Sequence, residues 1–208
     1  MPSPDHFALL KSELPTFQKL GDMTGALRHF GQEVMRFHSI AGTLLENMKL
    51  DKSSVDERYI THILARSVIE GFFWHAYIFD APATRGARYE EFVNSFKRDY
   101  LKLYNENLFP QKSQIEAADP TWAGLPAALD VKSMLAQLKN DHGDRLDYLY
   151  LVYRIASFDT HGKNLNAVFE HVFGRQCNFP FLDLRFGFDL IANHYLVILQ
   201  DLRSGGEI

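Results

Sequence analysis

Arg154, Ser157 and His161 stand three and four residues apart, and Asp147 and Tyr150 extend the same spacing upstream. At about 100° per residue, these five positions share one face of an α-helix. An arginine and an imidazole on one face suit a definite chemistry: the guanidinium stabilises charge on a phosphoryl group, and the imidazole moves a proton. Leu149, Leu151, Val152, Ile155, Ala156 and Phe158 make the rest of this segment apolar. The pattern predicts a helix buried on most sides that keeps a polar seam.

A second polar pair lies in an earlier apolar segment. Between Tyr59 and Phe79 the only formally charged residues are Arg66 and Glu70, set one turn apart on the stripe Ile63, Arg66, Glu70, Phe73, Tyr77. A buried charge without a partner costs several kcal/mol. An i, i+4 pair in the order Arg then Glu returns at most ~0.5 kcal/mol. The sequence therefore predicts a network that joins Arg66 and Glu70 to Arg154, Asp159, Ser157 or His161. Two readings of that network stand side by side: an ion cluster that fixes helix register, and an active or ligand-binding site.

The elements that must position these residues read as helices throughout. Leu27, Phe30, Val34, Phe37, Ala41, Leu44 and Met48 keep a three-four spacing, which predicts a long amphipathic helix over 22–50 packed against partner helices. Asp5 to Leu14 reads as a short helix ended near Pro15, with Gly21 and Asp22 as the turn into the long one. After a break at Asp51 to Ser54, residues 55–80 are apolar all round and predict a helix buried on several sides. A helix over 84–107, capped by Thr84, sets Tyr89, Phe92, Phe96, Tyr100 and Leu103 in one stripe beside many charges. Three prolines between Pro110 and Pro126 mark 109–129 as a surface excursion anchored by Trp122. Asp130 reads as the N-cap of a helix over 130–140. Gly143 and Asp144 restart the chain for the seam helix over 144–161, which Gly162 ends or bends. Asn164 to Phe173 is a short helix, and 182–202 an apolar closing helix. No alternation of strand type, internal repeat or low-complexity run competes. The expected fold is an all-α bundle of six or seven helices in a single domain spanning 1–208.

Composition narrows the function classes. With 208 residues, 46% of them apolar, the chain can fill a sizeable core. Its 26 acidic and 22 basic residues leave a formal charge of −4, so the totals supply no general attraction to nucleic acid or anionic membrane. One cysteine, Cys177, excludes an internal disulfide and reads as a packing residue. The start MPSPDHF lacks the pattern of a signal peptide, which predicts a cytoplasmic protein. The most apolar windows, Ile63 to Phe79 and Leu184 to Leu202, are interrupted by charged or polar residues and do not read as membrane spans. Nine histidines are dispersed and no Glu-x-x-His occurs, so neither a metal nor another cofactor is expected. There is no P-loop, glycine-rich dinucleotide loop or Gly-x-Ser-x-Gly elbow.

Arg154-x6-His161 on a helix of an all-α bundle resembles the HEPN superfamily (higher eukaryote and prokaryote nucleotide-binding), whose ribonuclease members carry Arg-x4-6-His. Ile155 follows the arginine here, where that motif commonly has a polar residue. Tyr153-x3-Ser157-x3-His161-Gly162, preceded by Arg66-Ser-x2-Glu70 and by Arg85-Gly-Ala-Arg88-Tyr89, also resembles an uncharacterised bacterial helical family over about Arg58 to Phe173. The HEPN resemblance implies RNA as the partner and metal-independent cleavage. His161 would move a proton at the 2′-hydroxyl or the leaving oxygen, and Arg154 would stabilise the phosphorane charge. Arg66, Glu70, Tyr150, Ser157 and Asp159 would support them. It also implies a homodimer. Arg85, Arg88, Lys97, Arg98 and Lys102 alternate with Glu90, Glu91, Asp99 and Glu106, a pattern that reads as a solvated helix face rather than a basic groove. The alternative is a non-catalytic interaction or small-ligand-binding bundle, whose seam is structural and whose aromatic surfaces make the interface.

Overall fold

A computed structural model describes residues 5–47, 55–106, 112–139, 145–176 and 183–208. Cys177, His142, Pro110, the break at Asp51 to Ser54 and the restart at Gly143 and Asp144 lie outside the described residues. The fold is all-α: eight α-helices and no strand among those residues. They are α1 (His6–Gly21), α2 (Gly25–Asn47), α3 (Val55–Phe79), α4 (Arg85–Tyr104), α5 (Val131–Leu135), α6 (Arg145–Thr160), α7 (Leu165–Phe173) and α8 (Leu184–Ser204). None is long and apolar enough to cross a membrane.

The chain divides into two compact units, one of residues 1–75 with 139–208 and one of residues 76–138. In the first, α1 and α2 lie side by side and both pack on α8. Phe30, Val34, Phe37, Ala41 and Leu44, the predicted stripe of α2, are fully buried. Their rings converge on Tyr195 of α8, with Phe30 at 5.7 Å, Phe37 at 5.4 Å and Phe72 of α3 at 5.7 Å between centroids, all edge-on. Edge-to-face pairs of this kind add about 0.5–1.5 kcal/mol each to the area they bury.

The helix expected to stop near Pro15 instead runs on to Gly21. Proline removes one backbone hydrogen bond and costs roughly 3 kcal/mol inside a helix. Pro15 and Lys11, whose carbonyl loses its partner, are both on the solvent side, where water satisfies that group. Phe17 and Leu20 beyond it are buried, and each contributes about 1.5–3 kcal/mol. Tertiary burial thus outweighs the local helix breaker.

An ion pair with one buried member accompanies this core. Glu33 accepts from Arg36 at 2.7 and 2.8 Å, and it sits beside Gly71, where a side chain would collide with both partners. Burial pushes the Glu33 carboxyl above its ordinary range, against the pull of Arg36. His75, stacked on His29 at 4.7 Å, is driven by burial down to about 3 and stays neutral.

In the second unit, Arg88 lies 4.3 Å from the Tyr77 ring centroid, donates to the Tyr77 carbonyl at 2.6 Å and pairs with Asp80 at 3.3 Å. The described part of the excursion between α4 and α5 contains two short 3-10 turns. Trp122 packs edge-on against Tyr100, as expected of an anchor, and Tyr100 and Arg98 donate to the carbonyls of Glu116 and Leu125. Asp130 caps α5 by accepting from the Ser133 amide at 2.7 Å. That helix is shorter than the expected 130–140. The aromatic stripe of α4 is open: Leu101 is its one buried residue, whereas Phe96 and Leu103 are exposed. Thr84 directs its hydroxyl to the Ala81 carbonyl and does not cap α4 through its side chain.

Candidate functional site

The site lies within the first unit, on α3, α6 and the turn that follows α6. Leu149, Val152 and Ala156 bury one side of α6, and Phe73 of α3 packs edge-on against Tyr153 at 5.8 Å. That contact sets Arg66, about two turns before Phe73 on the same helix, against Tyr153 and Ser157. The predicted network forms in part. Arg66 donates Nη1 to Glu70 at 2.7 Å, Nε to Ser157 Oγ at 3.1 Å and Nη2 to the Tyr153 hydroxyl at 3.2 Å. Its guanidinium carbon lies 4.9 Å from the Tyr153 ring centroid. Ser157 in turn donates to the Tyr153 carbonyl at 2.7 Å.

Three expectations change. The Arg66–Glu70 pair is not deeply buried, because the two side chains are 17% and 37% exposed. Arg154 and His161 stay outside the network: Arg154 donates to the Tyr150 hydroxyl at 3.3 Å, and both residues are exposed. Asp159 faces the other way. It stands two residues past Ser157, about 200° around the helix, so it points into the core. There Oδ2 meets His62 Nδ1 at 2.7 Å and Oδ1 accepts from the Leu165 amide at 2.8 Å. The helix also exposes Leu151 and Phe158, residues expected inside. Asp147 is exposed and does not reach the cavity described next.

The partial exposure of Glu70 sets its energetic weight. Glu70→Ala is expected to cost roughly 1 kcal/mol, the upper range for an accessible ion pair, because Arg66 keeps two other acceptors and access to water. Urea denaturation measures this; a loss of 3 kcal/mol would mean the pair is far less solvated than its exposure indicates.

Arg66, Tyr153, Arg154, Ser157, Phe158, His161 and Lys163 line an open cavity of about 300 Å³. Four of the seven are basic and none is a carboxylate. Among the described residues, neither Arg154 nor Lys163 has a carboxylate partner, so their charges face the cavity rather than a counterion. Tyr150 flanks Arg154 without lining the cavity, its ring centroid 5.9 Å from the guanidinium.

Sequence reasoning missed Lys163. It enters through the way α6 ends. Gly162 takes φ +68°, its amide bonds to the Asp159 carbonyl at 2.9 Å, and the Lys163 amide reaches back to the Phe158 carbonyl at 3.0 Å. This pair of bonds is a Schellman closure, which brings the residue after the glycine over the last turn of its helix. Lys163 Nζ accordingly lies 6.0 Å from the Phe158 ring centroid. The legible signal is Gly162 after an apolar helix, which marks the turn and not the side chain that the turn brings back. Asn164, also left-handed at φ 46°, then caps α7 by accepting from Ala167.

Fold and site together define an all-α protein with an open, basic cavity at a helix C-terminus. The chain matches no protein-family model, no curated protein and no solved structure.

Proposed function

We propose that this cavity binds RNA and cleaves it without a metal ion, in a HEPN-like protein. The observation that carries the reading is the cavity wall, which holds Arg66, Arg154, His161 and Lys163 with no carboxylate among them. Arg66 is paired with Glu70, so among the described residues it is Arg154 and Lys163 that lack a carboxylate partner and favour an anionic ligand, although the chain carries a formal charge of −4. Arg154 has the freedom to meet a phosphoryl oxygen and to stabilise charge as the phosphorane forms. His161 is exposed beside it and carries the proton. The 2′-oxygen attacks phosphorus as its proton leaves, the bond from phosphorus to the 5′-oxygen breaks, and that oxygen takes up a proton. Lys163 adds a second cation, and Arg66 holds Tyr153 and Ser157 in place.

A homodimer belongs to the same proposal. The support is α7, which has no buried residue and exposes Val168, Val172 and Phe173. An apolar face of this kind on one helix is a surface that a second copy can cover. Light scattering reports the oligomeric state.

The decisive experiment incubates end-labelled mixed-sequence RNA with purified protein in chelator. Wild type is expected to cut, and folded Arg154→Ala and His161→Ala variants to cut about a hundredfold more slowly. Equal cutting by all three proteins, or none by wild type, would leave an interaction or ligand-binding bundle as the better description.

A further inference from the structure

Among the described residues, one hydroxyl in the cavity has a proton to give. Arg66 is a donor at every nitrogen, so in its 3.2 Å bond to Tyr153 the phenolic oxygen accepts. The proton of that hydroxyl then points elsewhere, and among the described residues no group accepts it. Ser157 is in the opposite condition: its proton goes to the Tyr153 carbonyl and its oxygen accepts from Arg66 Nε. The Tyr153 ring is also fixed from several sides. Phe73 meets it edge-on, Tyr150 stacks on it at 6.2 Å, and the Arg66 guanidinium covers it.

We propose that Tyr153 is a substrate-binding residue that donates its phenolic hydrogen bond to a non-bridging oxygen of the phosphate held in the cavity. The assignment rests on the reading of the cavity as a phosphodiester site and adds a neutral donor to its cations. Burial, reinforced by Glu70 and opposed by Arg66, holds the phenol above its ordinary value, which keeps it protonated. Tyr153 therefore binds and orients without exchanging its proton, and His161 remains the group that moves one. Because Arg66 is already committed to Glu70, Ser157 and Tyr153, its effect on a ligand is transmitted through Tyr153, as a positioning residue. Preorganisation follows, since the donor is locked before the ligand arrives.

Tyr153→Phe keeps the ring packing and deletes the donor. Uridine 3′-monophosphate is the probe, titrated calorimetrically against wild type, Tyr153→Phe and Ser157→Ala, with RNA cleavage measured alongside. A hydrogen bond to a charged acceptor predicts about a tenfold weaker affinity for Tyr153→Phe. Ser157→Ala, which perturbs Arg66 and leaves the phenol, should lose less than threefold. Equal losses in the two variants would make Tyr153 a support for Arg66 and overturn the proposal, as would unchanged affinity in Tyr153→Phe. Should Tyr153→Phe not fold, wild type carrying carbon-13 at the tyrosine Cζ reads the same bond. The Tyr153 signal must shift when nucleotide is added, and a stationary signal overturns the proposal. Nucleotide binding that depends on Tyr153 without RNA cleavage would sink the nuclease reading and leave the donor role standing. Absence of both binding and cleavage would remove both.

Discussion

Gly31→Ala is expected to destabilise the protein by about 3 kcal/mol or more, one of the two largest single-residue effects we anticipate. A Cβ built at Gly31 comes closer than 3.0 Å to the Gly21 nitrogen, the Phe17 carbonyl oxygen and the Leu20 carbonyl carbon. All three are backbone atoms of α1, so no side-chain rotation relieves the clash. Relief requires α1 to move away from α2, which opens the interface between Phe17 and Phe30, edge-on at 5.5 Å. Each of those rings is fully buried and represents about 1.5–3 kcal/mol of transfer free energy. Urea unfolding of the variant should give a clearly lower midpoint with a similar slope. A loss under 1 kcal/mol would show that the two helices pack with slack at Gly31.

Asp159→Ala is the second, at roughly 3–5 kcal/mol. Asp159 and His62 are each 5% exposed, and both carboxylate oxygens are committed, one to His62 and one to the Leu165 amide. The alanine variant takes an acceptor from two polar groups at once, the His62 ring and the Leu165 amide, and each lost hydrogen bond costs about 1–3 kcal/mol. Replacing both residues in His62→Leu/Asp159→Leu should cost less than Asp159→Ala alone, because no buried polar ring remains to be satisfied. The comparison is made by chemical denaturation of the three proteins. If the double variant is the less stable, the contribution of Asp159 comes from packing rather than from its partners. The same carboxylate ties the end of α6 to the start of α7, and His161 and Lys163 ride on the turn between. Asp159 thereby stabilises the wall of the cavity from behind.

Much of the fold was legible because its signals are local. The stripe from Phe30 to Leu44 appears as a period of three and four whatever surrounds it, and those positions are buried as the period requires. Asp130 is a short side chain at the right place to accept an amide, and it caps α5. Gly162 tolerates a positive φ and closes α6. In the same way Arg154, Ser157 and His161 could be assigned to one side of one helix and its closing turn, and they line one cavity.

The partners were not legible to the same degree. Arg66 and Glu70 read as charges that needed company, but which residues supplied it depended on how α3 and α6 meet. Asp159 stands beside Ser157 and His161 in sequence and so reads as part of the seam that meets Arg66, yet its angular position sends it to His62, 97 residues away along the chain. Phe158, apolar by type, is 46% exposed and forms part of the cavity wall, and Lys163 joins the site through a backbone closure rather than through a motif.

The sequence by itself determined that this protein is built of helices, where most of them start and stop, and that an arginine, a serine and a histidine share a surface. Those properties depend on hydrogen bonds and side-chain spacings within a few residues. Only the tertiary structure decided that Arg66 is neutralised by Glu70 while Arg154 and Lys163 are left facing a cavity, that Pro15 is carried through a helix, and that Tyr153 keeps a proton to donate. Each of these follows from contacts between groups distant in the chain, whose free energies are set by burial and by the partners that packing brings within reach.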